Sequence, residues 1–256
     1  MKLKNILMIT AMTITGLMSI HQAMAAIALD RTRVIFNGNT KSVSLNIENQ
    51  HLDLPYLAQA WIEDEKGNKI NGPLVVVPPV QRVEAGAKSQ IKIQTLPAIA
   101  QLPQDRESLF YFNMREIPPR SEKPNVLQIA LQTRVKLFYR PEAVIARRID
   151  LDNPWQEKLT LTREGNQYVV NNPTPYYVTI SEASNKVNGK SAEGFQPVML
   201  APRSSEKLGG TANSLGNAPV LTYVNDYGGR PQLIFNCSGN SSGNTCAVTK
   251  AVTGES

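Results

Sequence analysis

Histidine, cysteine and aromatic residues are all scarce in this chain of 256 residues. The sequence has 2 histidines and 2 cysteines, and aromatic residues make up only 6% of it. One histidine lies in an N-terminal leader that we expect to be removed, which leaves His51 alone. A multi-histidine metal site therefore cannot be assembled, and a catalytic triad would depend on His51, which no nucleophile motif accompanies.

Phosphate-binding motifs and dense basic runs are missing as well. The segment Asp-Tyr-Gly-Gly-Arg at 226–230 lacks the lysine and the helix of a P-loop. No run of lysine and arginine with interleaved aromatics occurs, so we expect no nucleotide, no nucleic acid and no cofactor. Asp105, Glu107 and Glu116 could in principle form an acid/base pair, but surface or structural roles are commoner for such carboxylates. The sequence does not predict an enzyme.

Long apolar runs are confined to the N-terminus. Lys2 and Lys4 precede a mostly apolar run of 15 residues at 6–20, and Ala-Met-Ala at 23–25 is a small-x-small cleavage signal. The run is short for a transmembrane helix, and an uncleaved anchor is the alternative. We predict a signal peptide over residues 1–25, cleaved between Ala25 and Ala26. Its removal lowers the formal net charge from +6 to +4, a modest excess.

The two cysteines, Cys237 and Cys246, lie close together near the C-terminus. Disulfides are the default in exported proteins, whereas a redox-active pair is more often Cys-x-x-Cys beside a helix. We therefore predict a structural disulfide that closes a short loop rich in Ser, Gly and Asn.

The rest of the sequence has a β-strand pattern. Runs rich in Val, Ile, Thr and Tyr recur between Gly, Pro, Asn and Asp, and only one short helical turn, within 99–106, is indicated. Seven candidate strands suit one immunoglobulin-like sandwich: 29–36, 42–48, 56–63, 74–80, 90–95, 108–116 and 125–140. Eight more follow: 159–163, 167–171, 176–182, 196–200, 204–208, 220–224, 232–236 and 245–250. We predict an all-β protein with two domains, 26–144 and 145–256, and a boundary between Pro141 and Arg148.

The longest candidate strand, residues 125–140, alternates in polarity along its length. Its odd positions are mostly apolar and share one face, because successive side chains of a strand point to opposite sides. The segment would span roughly 50 Å, whereas strands usually hold about 5–6 residues. One small sandwich covers only part of such a face. The pattern leaves two alternatives: strands buried in their own core, or a strand whose first half is offered to another protein.

Eight segments of the chain, taken in order, resemble the periplasmic chaperones of the chaperone–usher pilus pathway. They include Leu-Asp-Arg-Thr-Arg at 29–33, Pro-Pro-Val-Gln-Arg at 78–82 and Asn-Asp-Tyr-Gly-Gly-Arg-Pro at 225–231. The others are residues 54–63, 102–113, 115–123, 125–140 and 172–179. The resemblance implies two immunoglobulin-like domains set in an L and a periplasmic location.

The resemblance also implies a mechanism. Pilin subunits of this pathway lack the final strand of their fold, and the chaperone lends a strand that prevents aggregation without ATP. The donated residues would be Leu127, Ile129 and Leu131. The first alternative is an exported structural pilin or adhesin, and the second is an exported two-domain hydrolase.

Charged residues gain roles from the same resemblance. Arg33 and Lys136 match the pair that anchors the pilin's C-terminal carboxylate in the cleft between the domains, a strong charge-assisted site. From the sequence alone, ordinary solvated strand charges are the alternative. Glu107, Arg140 and Asp226 match an ionic link between the domains.

A third surface is implied, at which these chaperones dock on the outer-membrane usher. It comprises Pro55, Leu57, Gln59, Pro78, Pro79 and Val80. Prolines at a strand edge more commonly block pairing, which is the alternative here. The loop 117–124 resembles the short-loop subclass of these chaperones, whose members mostly serve rod-like pili. The loop between the cysteines is longer than its counterpart in the family. The resemblance implies no role for residues 185–195. The apolar edge formed by the donated residues predicts transient self-association of the free protein.

Overall fold

The computed structural model of the chain describes residues 25–121, 123, 125–146, 154–237 and 245–252. Eighteen β-strands and a few short helical turns occupy these ranges. Almost all of the predicted signal peptide, part of the predicted domain boundary and the loop between the cysteines lie outside the described residues. Within the described ranges, no helix has the length and apolarity needed to cross a bilayer.

The first sheet of the N-terminal domain has four antiparallel strands. They are β1 Ile27–Leu29, β3 Ser42–Asn49, β6 Leu74–Val77 and β8 Lys88–Thr95. Their spatial order is β1–β3–β8–β6. Alternate side chains of the central strands, such as Leu45 and Ile91, are fully buried, because one face of the sheet covers the core.

The second sheet of this domain has six strands and carries most of the predicted site residues. They are β2 Arg33–Asn37, β4 Tyr56–Glu63, β5 Lys69–Ile70, β7 Val80–Val83, β9 Ser108–Ile117 and β10 Gln132–Arg140. The order is β2–β10–β9–β4–β5, and β7 also pairs with β4. Only the β2–β10 pair is parallel among these described strands. Phe36, Phe112 and Leu137 face the first sheet and form one core with it.

The C-terminal domain has eight strands around a second core. They are β11 Thr160–Glu164, β12 Gln167–Asn172, β13 Val178–Ser184, β14 Val198–Leu200, β15 Ser204–Lys207, β16 Val220–Val224, β17 Gln232–Asn236 and β18 Thr245–Val252. They run in the order β14–β13–β16–β17–β18–β11–β12–β15. Because only three residues join β14 to β15, the two ends of the sheet lie close together. The sheet therefore curves around its core, which includes Tyr168, Leu221 and Phe235.

Helical structure is short. One turn of 3-10 helix spans Pro97–Gln101, slightly earlier than the predicted turn within 99–106. Two more span Glu142–Val144 and Trp155–Lys158. A single α-helical turn, α1 Ala212–Leu215, begins at a capping box, in which Thr211 and the third helical residue satisfy each other's backbone amides.

Two predicted strands are divided in the structure. The prediction of one strand over 29–36 is wrong, because β1 and β2 belong to different sheets. The predicted strand at 74–80 is likewise interrupted at Pro78 and Pro79, which cannot donate ladder hydrogen bonds. As a result β6 joins the first sheet and β7 joins the second.

The prediction of one strand over 125–140 is also wrong. β10 spans only its second half, where Val135, Leu137 and Tyr139 enter the core as the alternation predicts. Residues 125–131 precede the strand and pair with no described strand, although the Glu116 amide donates to the Leu131 carbonyl at 3.0 Å. The first half of the pattern therefore has no sheet of its own to enter.

Candidate functional site

The segment 126–131 presents its apolar side chains to solvent. The exposed fractions are 83% for Leu127, 64% for Ile129 and 37% for Leu131. Val126, at 49%, adds to the same surface. Exposed apolar side chains in a segment without strand partners favour the second alternative for this pattern, a segment offered to another protein.

The strand that follows has one open edge. β9 pairs with β10 from Gln132 to Tyr139, whereas β2 begins to pair only at Lys136. On the β2 side, the backbone of residues 132–135 therefore has no strand partner among the described residues. This open edge continues the exposed segment as far as the first β2 residue, Arg33. An unpaired edge of this kind is a template for an added strand.

Arg33 and Lys136 lie together where the open edge ends. They are register partners on β2 and β10. Lys136 Nζ donates to Thr179 Oγ1 at 3.0 Å, and Arg33 Nη1 donates to the Val224 carbonyl at 3.1 Å. Thr179 and Val224 are themselves register partners on β13 and β16 of the C-terminal domain. The two cations therefore lie in the cleft between the domains.

Electrostatically, this pair of cations is short of negative charge. Burial and, to a smaller extent, the neighbouring Arg33 charge together lower the pKa of Lys136 to about 8. Burial also lowers the pKa of Arg33, although Asp226 and Glu107 partly offset this effect. Arg33 Nε is buried and has no hydrogen-bond partner among the described residues. A carboxylate arriving here would relieve both the repulsion and the unsatisfied donor.

A cavity of about 480 Å³ adjoins Arg33. It is lined by Asp30, Arg31, Thr32, Arg33, Ile35, Asn37, Arg140, Ile145, Ala146, Asp226 and Tyr227. Both domains contribute to it, so the cleft is a concave space open to a partner.

Arg140 contacts two carboxylates, Glu107 of the N-terminal domain and Asp226 of the C-terminal domain, which are the residues that the family resemblance implies. Its Nε and Nη2 approach Glu107 Oε1 at 2.8 and 2.7 Å. Its Nη1 and Nη2 donate to the two carboxylate oxygens of Asp226 at 2.9 and 3.2 Å. The two carboxylates differ in exposure: the Glu107 side chain is 2% exposed and the Asp226 side chain is 22% exposed.

The environment of this link is strongly desolvated. Burial raises the pKa of Glu107 to about 7, while Arg140 and the Tyr177 amide, which donates to Glu107 at 2.8 Å, oppose the rise. Burial alone would lower the pKa of Arg140, but the two carboxylates raise it. Trp155 and Tyr176 lie against the guanidinium, at 5.1 and 4.9 Å from their ring centroids. Sequence reasoning missed these two aromatics, because nothing in the strand pattern links them to Arg140.

The residues predicted for usher docking lie on one side of the N-terminal domain. Leu57 and Gln59 of β4 pair with Arg82 and Val80 of β7. A cavity of about 280 Å³ is lined by Pro55, Tyr56, Leu57, Arg82, Ile117, Pro118, Pro119 and Arg120. Pro78 and Pro79 precede β7, and the Pro79 carbonyl accepts from the Ala60 amide at 2.8 Å. Of the six predicted residues, Pro55 and Leu57 line this cavity, and the folded arrangement of the chain brings Arg82, Ile117 and Pro119 beside them.

The cysteines and the histidine have structural roles. Cys237 and Cys246 form a disulfide with an S–S distance of 2.04 Å, which confirms that prediction. His51 Nδ1 accepts hydrogen bonds from the backbone amides of Asp53 and Leu54 at 3.2 and 3.1 Å. It therefore stabilises its own loop. The described residues contain no cluster of three or more potential metal ligands.

Comparison with known proteins identifies the family. Residues 26–145 match the model of the PapD N-terminal domain of pili and flagellar-assembly chaperones, and residues 154–235 match the C-terminal domain of the pili assembly chaperone PapD. The chain is 54% identical to the probable fimbrial chaperone YfcS of Escherichia coli K12, over 90% of this chain and 91% of the relative. It is 53% identical to the chaperone protein PapD of Escherichia coli, over 90% and 93% of the two chains.

Solved structures agree with the sequence relatives. A chain of the Salmonella enterica SafA pilin–SafB chaperone complex superposes with a TM-score of 0.66 and 26% identity, over 82% of this chain and 94% of that one. The Escherichia coli chaperone DraB superposes with a TM-score of 0.63 and 29% identity, over 80% and 93%. These matches confirm the predicted all-β class with two immunoglobulin-like domains. The chain belongs to the PapD family of pilus-assembly chaperones.

Proposed function

We propose that this chain is a periplasmic chaperone that holds fimbrial subunits by lending them residues 127–131 as a strand. The observation that carries the proposal is the continuity of three features: an exposed apolar segment, an open strand edge and a pair of desolvated cations. Relatives described as fimbrial chaperones support this function over that of a structural pilin or adhesin.

The positions of these features determine how a client strand would lie. Its C-terminal carboxylate would bind Arg33 and Lys136, at the end of the open edge. The client strand would therefore approach from the 127 side and run in the same direction as β10. β2, which begins at Arg33 and is parallel to β10, continues along the same edge beyond that point. The client strand would thus occupy the edge position that β2 leaves free.

Affinity and register would come from different groups. Leu127, Ile129 and Leu131 would each contribute about 1.5–3 kcal/mol on full burial, before the entropic cost of ordering the segment. Backbone hydrogen bonds along residues 127–135 would add to affinity without selecting a sequence. The carboxylate bound to Arg33 and Lys136 would fix which client residue faces which pocket.

The remaining predicted roles complete the proposal. The signal peptide would be cleaved between Ala25 and Ala26, and the domains would comprise residues 26–144 and 145–256. Glu107, Arg140 and Asp226 would set the orientation of the two domains, since buried ion pairs contribute more to geometry than to net stability. The proline-rich surface around Leu57 would dock on the usher. The exposed segment 126–131 would also support transient self-association of the free protein.

Periplasmic co-expression with a fimbrial subunit tests the proposal. Arg33→Ala with Lys136→Ala should abolish co-purification of the subunit, and so should Leu127→Asp. The matched controls are Lys92→Ala, on an exposed strand position of the first sheet, and Leu52→Asp, a loop leucine that is 80% exposed. Both controls should retain the subunit. Equal loss in the controls, or retention in the cation variant, would contradict the carboxylate anchor.

A further inference from the structure

A set of neighbouring polar side chains lies on the outward face of the second sheet, beside the start of β10. It consists of Glu63 on β4, Asn113 and Arg115 on β9, and Gln132 and Arg134 on β10. None of these residues belongs to the anchor, the interdomain link or the donated segment. The set lies directly next to the residue at which the donated segment ends, Leu131.

Asn113 is at the centre of this set and is fully buried. It lies directly opposite Arg134 on one side and Trp61 on the other. Gln132 Nε2 donates to Asn113 Oδ1 at 2.9 Å, and Arg115 Nη2 donates to Gln132 Oε1 at 3.3 Å. A buried amide at a central strand position carries a desolvation cost, so its partners matter for where the neighbouring strands lie.

Glu63 lies at the other end of the set and accepts hydrogen bonds there. Trp61 Nε1 donates to Glu63 Oε1 and Arg134 Nε donates to Glu63 Oε2, both at 2.9 Å. The Arg134 guanidinium also lies 3.4 Å from the ring centroid of Tyr111. Burial alone would raise the pKa of Glu63, but hydrogen bonds from Trp61, Arg134 and Asn113 lower it. The carboxylate thus accepts hydrogen bonds from side chains of β4 and β10, while Asn113 Nδ2 donates to the Tyr111 carbonyl at 3.4 Å.

The start of β10 needs such support because it is paired on one side only. Between Gln132 and Val135 the strand contacts β9, while its other edge is open. A slip of two residues in this part of the strand would move the donated side chains by about 7 Å relative to Lys136. A client whose carboxylate is bound at Lys136 would then face the wrong side chains.

We propose that Asn113, acting through Gln132, is a positioning residue that fixes the start of β10 and so the register of residues 127–131 relative to Lys136. This inference rests on the proposed function, since register matters only if the segment is lent to a client. The expected signature is a change in how long a captured subunit is held, with capture itself retained.

Release of a bound subunit tests this role. The complex of a fimbrial subunit with the full chain is purified and mixed with an excess of tagged wild-type protein, and transfer of the subunit to the tagged protein is timed. Asn113→Leu keeps the number and branching of the side-chain heavy atoms and frees Gln132 to bond with water, so we expect release to be about five- to tenfold faster. Amide hydrogen exchange across 127–135 in the complex should also be faster. Gln132→Met, at an exposed position, should act in the same direction and covers the case in which Asn113→Leu does not fold.

The control is Ile91→Val, a buried change on β8, which lowers stability and lies on a strand that pairs with β3 and β6 and not with β10. It should leave the release rate unchanged. Wild-type release and exchange rates in both Asn113→Leu and Gln132→Met, or an equal acceleration in Ile91→Val, would overturn the inference. A wild-type protein that captures no subunit would contradict the proposed function instead, so the two failures are distinguishable.

Discussion

Arg33 and Lys136 lie side by side on parallel strands. Each donates one hydrogen bond to the C-terminal domain, Arg33 to the Val224 carbonyl and Lys136 to the Thr179 hydroxyl. Two like charges are thus held together in a partly desolvated cleft. Among the described residues, neither of them forms a salt bridge, although Asp226 and Glu107 attract Arg33 at longer range. Such an arrangement is unfavourable for the free protein and favourable for a bound anion.

The first prediction is that Lys136→Met makes the free protein more stable. The pKa of Lys136 is lowered to about 8 from its ordinary 10.5 by burial and by Arg33, so folding disfavours the charged form. Removing the charge should raise the free energy of unfolding at pH 7 by about 1 kcal/mol. This is less than the full pKa shift of Lys136 implies, because the side chain is partly solvated and because the variant also loses the hydrogen bond to Thr179. Chemical denaturation of the two proteins measures the difference.

The pH dependence of this difference provides its control. The penalty on wild-type Lys136 is fully present below pH 8 and disappears as the pH rises towards 10.5, where the unfolded chain also loses the proton. The stabilities of Lys136→Met and wild type should therefore converge between pH 8 and 10.5. A constant gap over that range, or a less stable variant at pH 7, would show that the charge is not penalised.

The second prediction concerns client binding. A carboxylate at the anchor favours charged Lys136, so the complex keeps its proton to higher pH than the free protein does. Affinity should be flat below pH 8 and should fall above it, by up to about tenfold per pH unit. Titration of a fimbrial subunit's C-terminal peptide, with a free carboxylate, between pH 6.5 and 9.5 measures this. The same peptide amidated at its C-terminus should bind weakly at every pH, and Lys136→Arg should show no fall, because a guanidinium stays charged.

Strand alternation predicted much of the fold but not where the strands stop. Several candidate strands, such as those at 56–63 and 220–224, coincide with the observed ones because both faces and both ends are specified locally. The pattern at 125–140 was continuous, yet only its second half forms a strand in the free chain. The first half has the same alternation, but its apolar side chains are exposed. A periodic pattern indicates that one face of a strand can be buried, but it does not indicate which molecule covers that face.

The charged residues show a second limit. Only the family resemblance gives roles to Arg33, Lys136 and Arg140, since their spacing in sequence carries no information about a cleft. The structure brings them together with Glu107 and Asp226, which are separated from Arg140 by 33 and 86 positions. The aromatic support of Arg140 by Trp155 and Tyr176 is equally non-local. Such contacts depend on how the two domains pack, which no local pattern encodes.

The third prediction ranks the members of the interdomain link. Arg140→Ala leaves Glu107, whose side chain is 2% exposed, without its main partner and should lower the free energy of unfolding by about 2–4 kcal/mol. Asp226→Ala removes a carboxylate that is 22% exposed, while Arg140 keeps Glu107, and should lower it by about 1 kcal/mol. Denaturant titration gives both values. A larger loss for Asp226→Ala than for Arg140→Ala would mean that the link depends on Asp226 rather than on the buried pair.

The fourth prediction concerns the hairpin between β16 and β17, which carries Asp226 to Arg140. Gly228 has a φ of 87°, and a Cβ at this position would lie 2.7 Å from Thr32 Oγ1 in the N-terminal domain. Gly228→Ala therefore adds both backbone strain and a clash across the cleft, and it should lower the free energy of unfolding by about 2 kcal/mol. Gly165→Ala is the matched control, because its φ is 60° but nothing lies within 4 Å of the added Cβ. It should lose only the strain part, about 1 kcal/mol.

A double change separates the two parts of the Gly228 effect. Thr32→Ala removes the atom that the new Cβ would meet. Combining it with Gly228→Ala should therefore recover the stability lost to the clash, while the loss caused by backbone strain remains. The combined variant should then resemble Gly165→Ala in its loss of stability, once the effect of Thr32→Ala alone is subtracted. Additive effects of the two changes would show that Gly228 is required for its backbone conformation only. A loss in the double variant that is smaller than the sum of the two single losses would show that the added Cβ meets Thr32, and therefore that Gly228 is also required for the close approach of the hairpin to the N-terminal domain.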